Sequence, residues 1–176
     1  MLTKNFKQVM KLVGVATTNN SDSLGILPVT NYANTVRYAR PVMQSTFPLG
    51  YYFSNIPNAA GAGVVFGSGT TPATENDYNV ESAILSGLSV PTPTVTYSYD
   101  NEKVARKLTY AVTNTSSSSI TISEIGWRVK LNCTTSQGSG STIEETVLMD
   151  RTVLDTPVTI PAGETRIIEY SIISTL

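Results

Sequence analysis

The chain has 176 residues with no histidine, one cysteine and only 14% charged residues, 12 Lys and Arg against 13 Asp and Glu. This length suits one domain whose core needs no staples, and the lone Cys133 rules out an internal disulfide. The missing imidazole excludes Ser-His-Asp and Cys-His catalysis and every His-containing zinc site, while the near-neutral balance lacks the basic footprint of a nucleic-acid or membrane-surface binder.

Leu2, Phe6, Val9, Met10 and Val13 fall on one face of a 3.6-residue period, which predicts a short amphipathic helix over about 3–13. Thr3 is its candidate N-cap and Gly14 stands just past its end. Lys4 and Lys7 oppose the helix dipole, so packing must hold the helix, either on its own domain or on a neighbouring subunit. Lys4, Lys7 and Lys11 also interrupt any signal-peptide core, and no later segment reaches the roughly 18–20 apolar residues of a membrane span. The expectation is synthesis in a cytoplasm without an export signal. Residues 16–34 read as an extended connection with one short strand at Ile26–Val29. Residues 1–34 are therefore an N-terminal helix and arm, expected to be dispensable for folding as far as residue 15, and 35–176 a β-sandwich domain.

From residue 35 short β-branched and aromatic segments alternate with Gly, Pro, Asn and Ser clusters. Strands are predicted at 35–45, 50–56, 62–67, 94–99, 103–113, 119–131, 145–154, 157–160 and 165–173, which points to an antiparallel sandwich or barrel, with an all-β antiparallel sandwich of jelly-roll or immunoglobulin-like type as the expected fold. In 103–113, Val104, Leu108, Tyr110 and Val112 share one face and Lys103, Lys107, Thr109 and Thr113 the other, and NTSSSS should turn this strand into a hairpin with 119–131. Ile120 and Ile122 have one parity and Ile125, Trp127, Val129 and Leu131 the other, which predicts a β-bulge near Glu124–Gly126. PAGE at 161–164 is a turn before the last strand. The long stretch from Gly67 to Pro93 shows no clear alternation. It reads either as a loop with one helical turn near Tyr78–Ser82 packed on its own sheets, or as an insertion that meets a neighbouring subunit.

Without histidine, carboxylate pairs are the remaining route to catalysis, with Glu75 and Asp77, Asp100 and Glu102, Glu144 and Glu145, and Asp150 and Asp155 as candidates. Asp100 and Glu102 straddle a turn and read as solvated, as do Glu144 and Glu145, and no catalytic, metal or cofactor residue is assigned. GSGT at 67–70 lacks the GK[ST] of a phosphate loop, Cys133 reads as an inert thiol, and no EF-hand spacing marks a calcium site. Tyr97 and Tyr99 share a strand face and would form an aromatic platform if that face is not core.

Three segments carry a resemblance: GSGTTPATENDYNVES at 67–82, the EIGW corner at 124–127, and LMDRTVLDTPVTIPAGETRIIEYSI at 148–172. In this order and spacing the region from about residue 62 onward resembles small β-rich virion proteins of tailed bacteriophages, described as head fibre, collar, neck or tail components. The resemblance implies a structural protein with no enzyme activity and no cofactor, which works by packing against copies of itself and other virion proteins and leaves the cell by lysis. The assembly candidates are Leu2, Phe6, Val9, Met10 and Val13 on the N-terminal helix and Thr71, Pro72, Asp77 and Tyr78 in the long loop. Homo-oligomers and other virion proteins are the expected partners, with neither nucleic acid nor membrane among them. The alternative is a carbohydrate- or receptor-binding sandwich on the virion surface, using Tyr97, Tyr99 or loop 135–141.

Overall fold

The structure, a computed structural model, describes residues 1–8, 27–39, 62–99, 103–135 and 142–175. Nine strands follow in chain order: β1 (Leu27–Thr30), β2 (Val36–Ala39), β3 (Gly63–Gly67), β4 (Leu88–Ser89), β5 (Thr94–Tyr99), β6 (Lys103–Asn114), β7 (Ile120–Thr134), β8 (Thr142–Ile160) and β9 (Thr165–Thr175). They build two antiparallel sheets facing one another in a sandwich-like arrangement. In the first, β8 runs along one edge of β7 while β3 and the β1–β2 hairpin share its other edge. In the second, β9 pairs with the whole of β6 on one side, and β5 and β4 pair with its other side.

Strand periodicity places the core between these sheets. On β6, Leu108, Tyr110 and Val112 are buried with Ile168 and Tyr170 of β9, as their shared parity requires. The first sheet answers with Phe66, Ile122, Ile125, Trp127, Val129 and Met149. Phe66 meets Tyr110 edge to face with ring centres 5.8 Å apart, the arrangement that ring quadrupoles favour. Burying one such side chain stabilises the fold by roughly 1.5–3 kcal/mol.

Several expectations are revised. β6 and β7 do not form a hairpin, because both edges of β6 are occupied by other strands and the chain crosses to the opposite sheet at 115–119. Buried Asn114 directs that crossing: its Nδ2 donates to the carbonyls of Ser118 (2.7 Å) and Ile160 (2.8 Å), and its Oδ1 accepts from the Ser116 backbone at 2.9 Å. No helical turn forms at Tyr78–Ser82; the turn lies at Glu75–Asn76, closed by the Asp77 N–H on the Thr74 carbonyl at 3.2 Å. Segments 145–154 and 157–160 are one strand, β8, rather than two. The parity change in β7 is real, but the irregularity sits at Ser123, just before the predicted corner, where the register shifts between Ile122 and Glu124. A second shift at Met149 puts both Met149 and Asp150 on the core-facing side of β8, where Tyr170 donates to Asp150. The predicted strand 50–56, residues 40–45 and most of loop 135–141 lie outside the described residues.

The N-terminus is built into the first sheet. Thr3 donates its N–H to the Met149 carbonyl at 3.0 Å, and Arg151 donates to the Met1 carbonyl at 3.1 Å, so residues 1–3 run along the free edge of β8. The described helical residues are 4–8. Thr3 caps them, accepting the Phe6 N–H on Oγ1 at 3.4 Å. Asn5 exchanges two 2.8 Å hydrogen bonds with the backbone of Thr30, and the Phe6 ring lies 6.4 Å from that of Trp127. Removing residues 1–15 would thus strip polar partners from β8 and uncover Trp127, against the expectation of an intact domain.

Candidate functional site

On β7 the odd positions Ile125, Trp127 and Val129 face the sandwich core, which leaves Glu124, Gly126 and Arg128 on the opposite face of the same sheet. That face is also buried, because residues 68–84 fold back across it. Ile84 donates to the Phe66 carbonyl and Ser68 to the Ser82 carbonyl, both at 2.9 Å, so the returning segment lies beside β3.

Glu124, with 0% exposure, organises this cover. Its Oε1 accepts the backbone N–H groups of Gly69 (3.1 Å) and Ser82 (2.9 Å). Its Oε2 accepts the Glu81 N–H at 3.1 Å and Arg151 Nε at 2.7 Å. Arg151, 3% exposed, then reaches Asp77 Oδ2 at 2.9 Å and the Thr71 carbonyl at 3.1 Å. Two charges leave water at a cost of several kcal/mol each, and only a full set of partners offsets that cost. Glu124 has four donors and Arg151 three distinct acceptors, so the charge pair is satisfied where it sits.

The glycines have a steric reason. A Cβ on Gly67 would overlap the Glu124 carboxyl group, and on Gly69 it would lie 2.5 Å from Glu81 Cβ and 2.6 Å from Glu124 Oε1. On Gly126 it would lie 2.6 Å from Val80 Cγ1. GSG in the loop and G in EIGW are therefore two halves of one close contact. The rest of the loop is tied down by polar groups: Thr71 gives its N–H and hydroxyl to Glu81 (3.0 and 2.8 Å), and Thr74 gives both to Asp77 (2.9 and 2.8 Å). Arg128 donates to Asn79, and Lys7 pairs with Glu75 at 2.7 Å.

The electrostatics follow from these contacts. Partial burial pushes the Asp77 pKa up, but hydrogen bonds from Arg151 and Thr74 outweigh it and hold the carboxyl below its ordinary value. Hydrogen bonds from Thr71 lower Glu81, and Lys7 lowers Glu75. A general acid needs the opposite shift. Among the other candidate pairs, Glu144 pairs with Lys130, Glu145 with Arg37 at 2.7 Å, and Asp150 accepts from Tyr170, whereas Asp100 and Glu102 lie outside the described residues. Burial pushes the Cys133 thiol up to about 12, which fits an inert side chain.

The predicted assembly residues divide by place. Thr71, Pro72 and Tyr78 are exposed on the tied-down loop, Asp77 is half-buried in the Arg151 pair, and Leu2 and Phe6 contact their own domain. Val9, Met10 and Val13 lie outside the described residues. Beside the loop is an open cleft of about 550 Å³, lined by Tyr32, Asn34, Asp77, Tyr78, Glu81 and Arg151 among others. Tyr97 and Tyr99 stand out 68% and 73% exposed, with the Arg106 guanidinium 5.1 Å from the Tyr97 ring centre. Sequence reasoning assigned no role to Glu124 or Arg151. The available signal was a charged residue inside an otherwise apolar strand run, in ISEIGW and LMDRTVL. In comparisons with protein families, curated proteins and solved structures, no family model, protein or structure matched the chain.

Proposed function

We propose that this protein is a structural component of a tailed-phage virion, assembling with copies of itself and with other head, neck, collar or tail proteins. One observation carries the reading. The three segments that resemble phage virion proteins, remote in sequence, meet at the Glu124–Arg151 pair. The motif residues thus serve to hold an irregular, exposed loop in one shape through a buried ion pair, which suits a building block that works through its surface. Mass spectrometry and immunolabelling of purified particles from a phage encoding this chain test the proposal. Stoichiometric incorporation at one substructure is expected, and particles lacking the chain at wild-type infectivity would refute it.

A second reading, a carbohydrate- or receptor-binding module, is favoured by Tyr97 and Tyr99, which project as flat apolar faces with polar tips. A glycan array with millimolar sugar decides it: no binding by wild type, or binding unchanged in Tyr97→Ala with Tyr99→Ala, removes that platform from consideration.

A further inference from the structure

β9 is an edge of an unusual kind. Its eleven residues pair with β6 in one unbroken register, and no described strand occupies its other side. Alternate residues of an antiparallel strand direct their N–H and C=O groups away from the paired neighbour, so β9 offers a long row of donors and acceptors. Such edges are normally blunted by Lys, Pro, bulges or short length. β9 contains neither Lys nor Pro, and its two charged residues, Arg166 and Glu169, are paired with Glu164 and Lys107. Other margins are managed: β5 has six residues and follows Pro91 and Pro93, and β8 is covered by residues 1–3 along one stretch and broken by a register shift near Pro157 along another.

We infer that β9 is the homotypic interface of this protein, pairing antiparallel with β9 of a second copy about a two-fold axis through Tyr170, so that two four-stranded sheets become one of eight strands. The inference deepens the proposed function and rests on its premise that the chain assembles with itself. Register supplies the argument. A two-fold axis perpendicular to the sheet pairs residues of like parity, and centring it on Tyr170, the middle of Thr165–Thr175, brings all eleven residues of both strands into register. On the outer face Ile167, 62% exposed, then stands opposite Ile173 of the second copy, 53% exposed, and Glu169 stands opposite Ser171. On the inner face Ile168 faces Ile172. Centring on Glu169 would oppose two carboxylates, and centring on Ile168 or Ser171 would oppose Glu169 to isoleucine. Only the Tyr170 register matches apolar to apolar on both faces, and such cross-strand pairs stabilise sheets. A closed two-fold contact of this kind is isologous and self-limiting.

The test uses cysteine pairs in the full chain. In the inferred register residue 167 of one copy lies opposite residue 173 of the other, whereas the two positions within one strand are roughly 20 Å apart. The double variant Ile167→Cys with Ile173→Cys should become a covalent dimer on mild oxidation, and each single variant should form no covalent dimer, with buried Cys133 silent in all three. Sedimentation should show wild type dimerising with concentration and Ile167→Lys with Ile173→Lys shifting the monomer–dimer midpoint at least tenfold upward with an unchanged near-UV spectrum. Equal cross-linking by the single variants, or a wild type that stays monomeric at every concentration, overturns the inference. A 167–173 cross-link formed in solution by a chain that is absent from purified particles would refute the virion reading alone. Particles that contain the chain but yield no 167–173 cross-link would refute the β9 interface alone.

Discussion

The two faces of β7 are held by different chemistry. Toward the sandwich core, Ile125, Trp127 and Val129 bury apolar surface against β6 and β9 and follow strand alternation. Away from it, Glu124 and Arg128 bury charge beneath a loop with no regular structure. Apolar burial is non-directional and stabilises any well-packed arrangement, whereas the carboxylate of Glu124 accepts only donors that arrive at the right places. The contrast teaches that the core gives this domain its stability, while the buried ion pair selects one path for residues 68–84.

The largest effect expected is from Glu124→Ala. Arg151 loses its Nε partner inside the fold, and removing one member of a buried pair typically costs about 3–5 kcal/mol. Urea unfolding should show that loss, and limited proteolysis should cut within residues 70–82. Adding Arg151→Met should recover part of the stability without restoring protease resistance. On the apolar side, Leu108→Ala should cost about 2–5 kcal/mol with no new cleavage in the loop. If both variants gave the same proteolytic pattern, the division of labour between the two faces would be lost.

Gly126→Ala follows in size. Its Cβ would press on Val80 at 2.6 Å, and overpacking of this kind costs about 1–3 kcal/mol. Unfolding midpoints measure it, and Val80→Ala in the same chain should relieve most of the loss. A smaller effect is expected from pH. The Asp77 carboxyl has a folded pKa below its unfolded value, so its stabilisation is complete above the ordinary aspartate value of about 4 and disappears as pH falls through the lower folded value. Midpoints should be flat from neutral pH to about 5 and decline below about 4, less steeply in Asp77→Asn. Least of all is expected from Lys7→Ala, which removes an exposed pair with Glu75. Its midpoint should match wild type within error.

Legibility in the sequence tracked the range of the interaction. The alternation in β6 and the parity change in β7 were readable because a strand's two faces repeat every two residues within the strand itself. Thr3 as N-cap was readable for the same reason, since its partner Phe6 is three residues away. The β6–β7 hairpin was misread because a short polar turn states only that the chain reverses, not which edges are still vacant when it does. The helical turn at Tyr78–Ser82 was misread because the backbone there answers to Glu124, more than 40 residues away. Glu124 and Arg151 carry no assignment in the sequence, because the loop that covers them comes from more than 40 residues away.

By itself the sequence determined the chemical vocabulary of this protein: no imidazole, no internal disulfide, little charge, and short alternating segments that read as antiparallel strands. Those are properties of composition and of local period. Tertiary structure alone decided which strands became neighbours, which carboxylate was buried, and which edge no described strand pairs. Pairing and desolvation depend on residues distant in the chain competing for the same backbone groups and the same dry space, and no local pattern encodes the outcome of that competition.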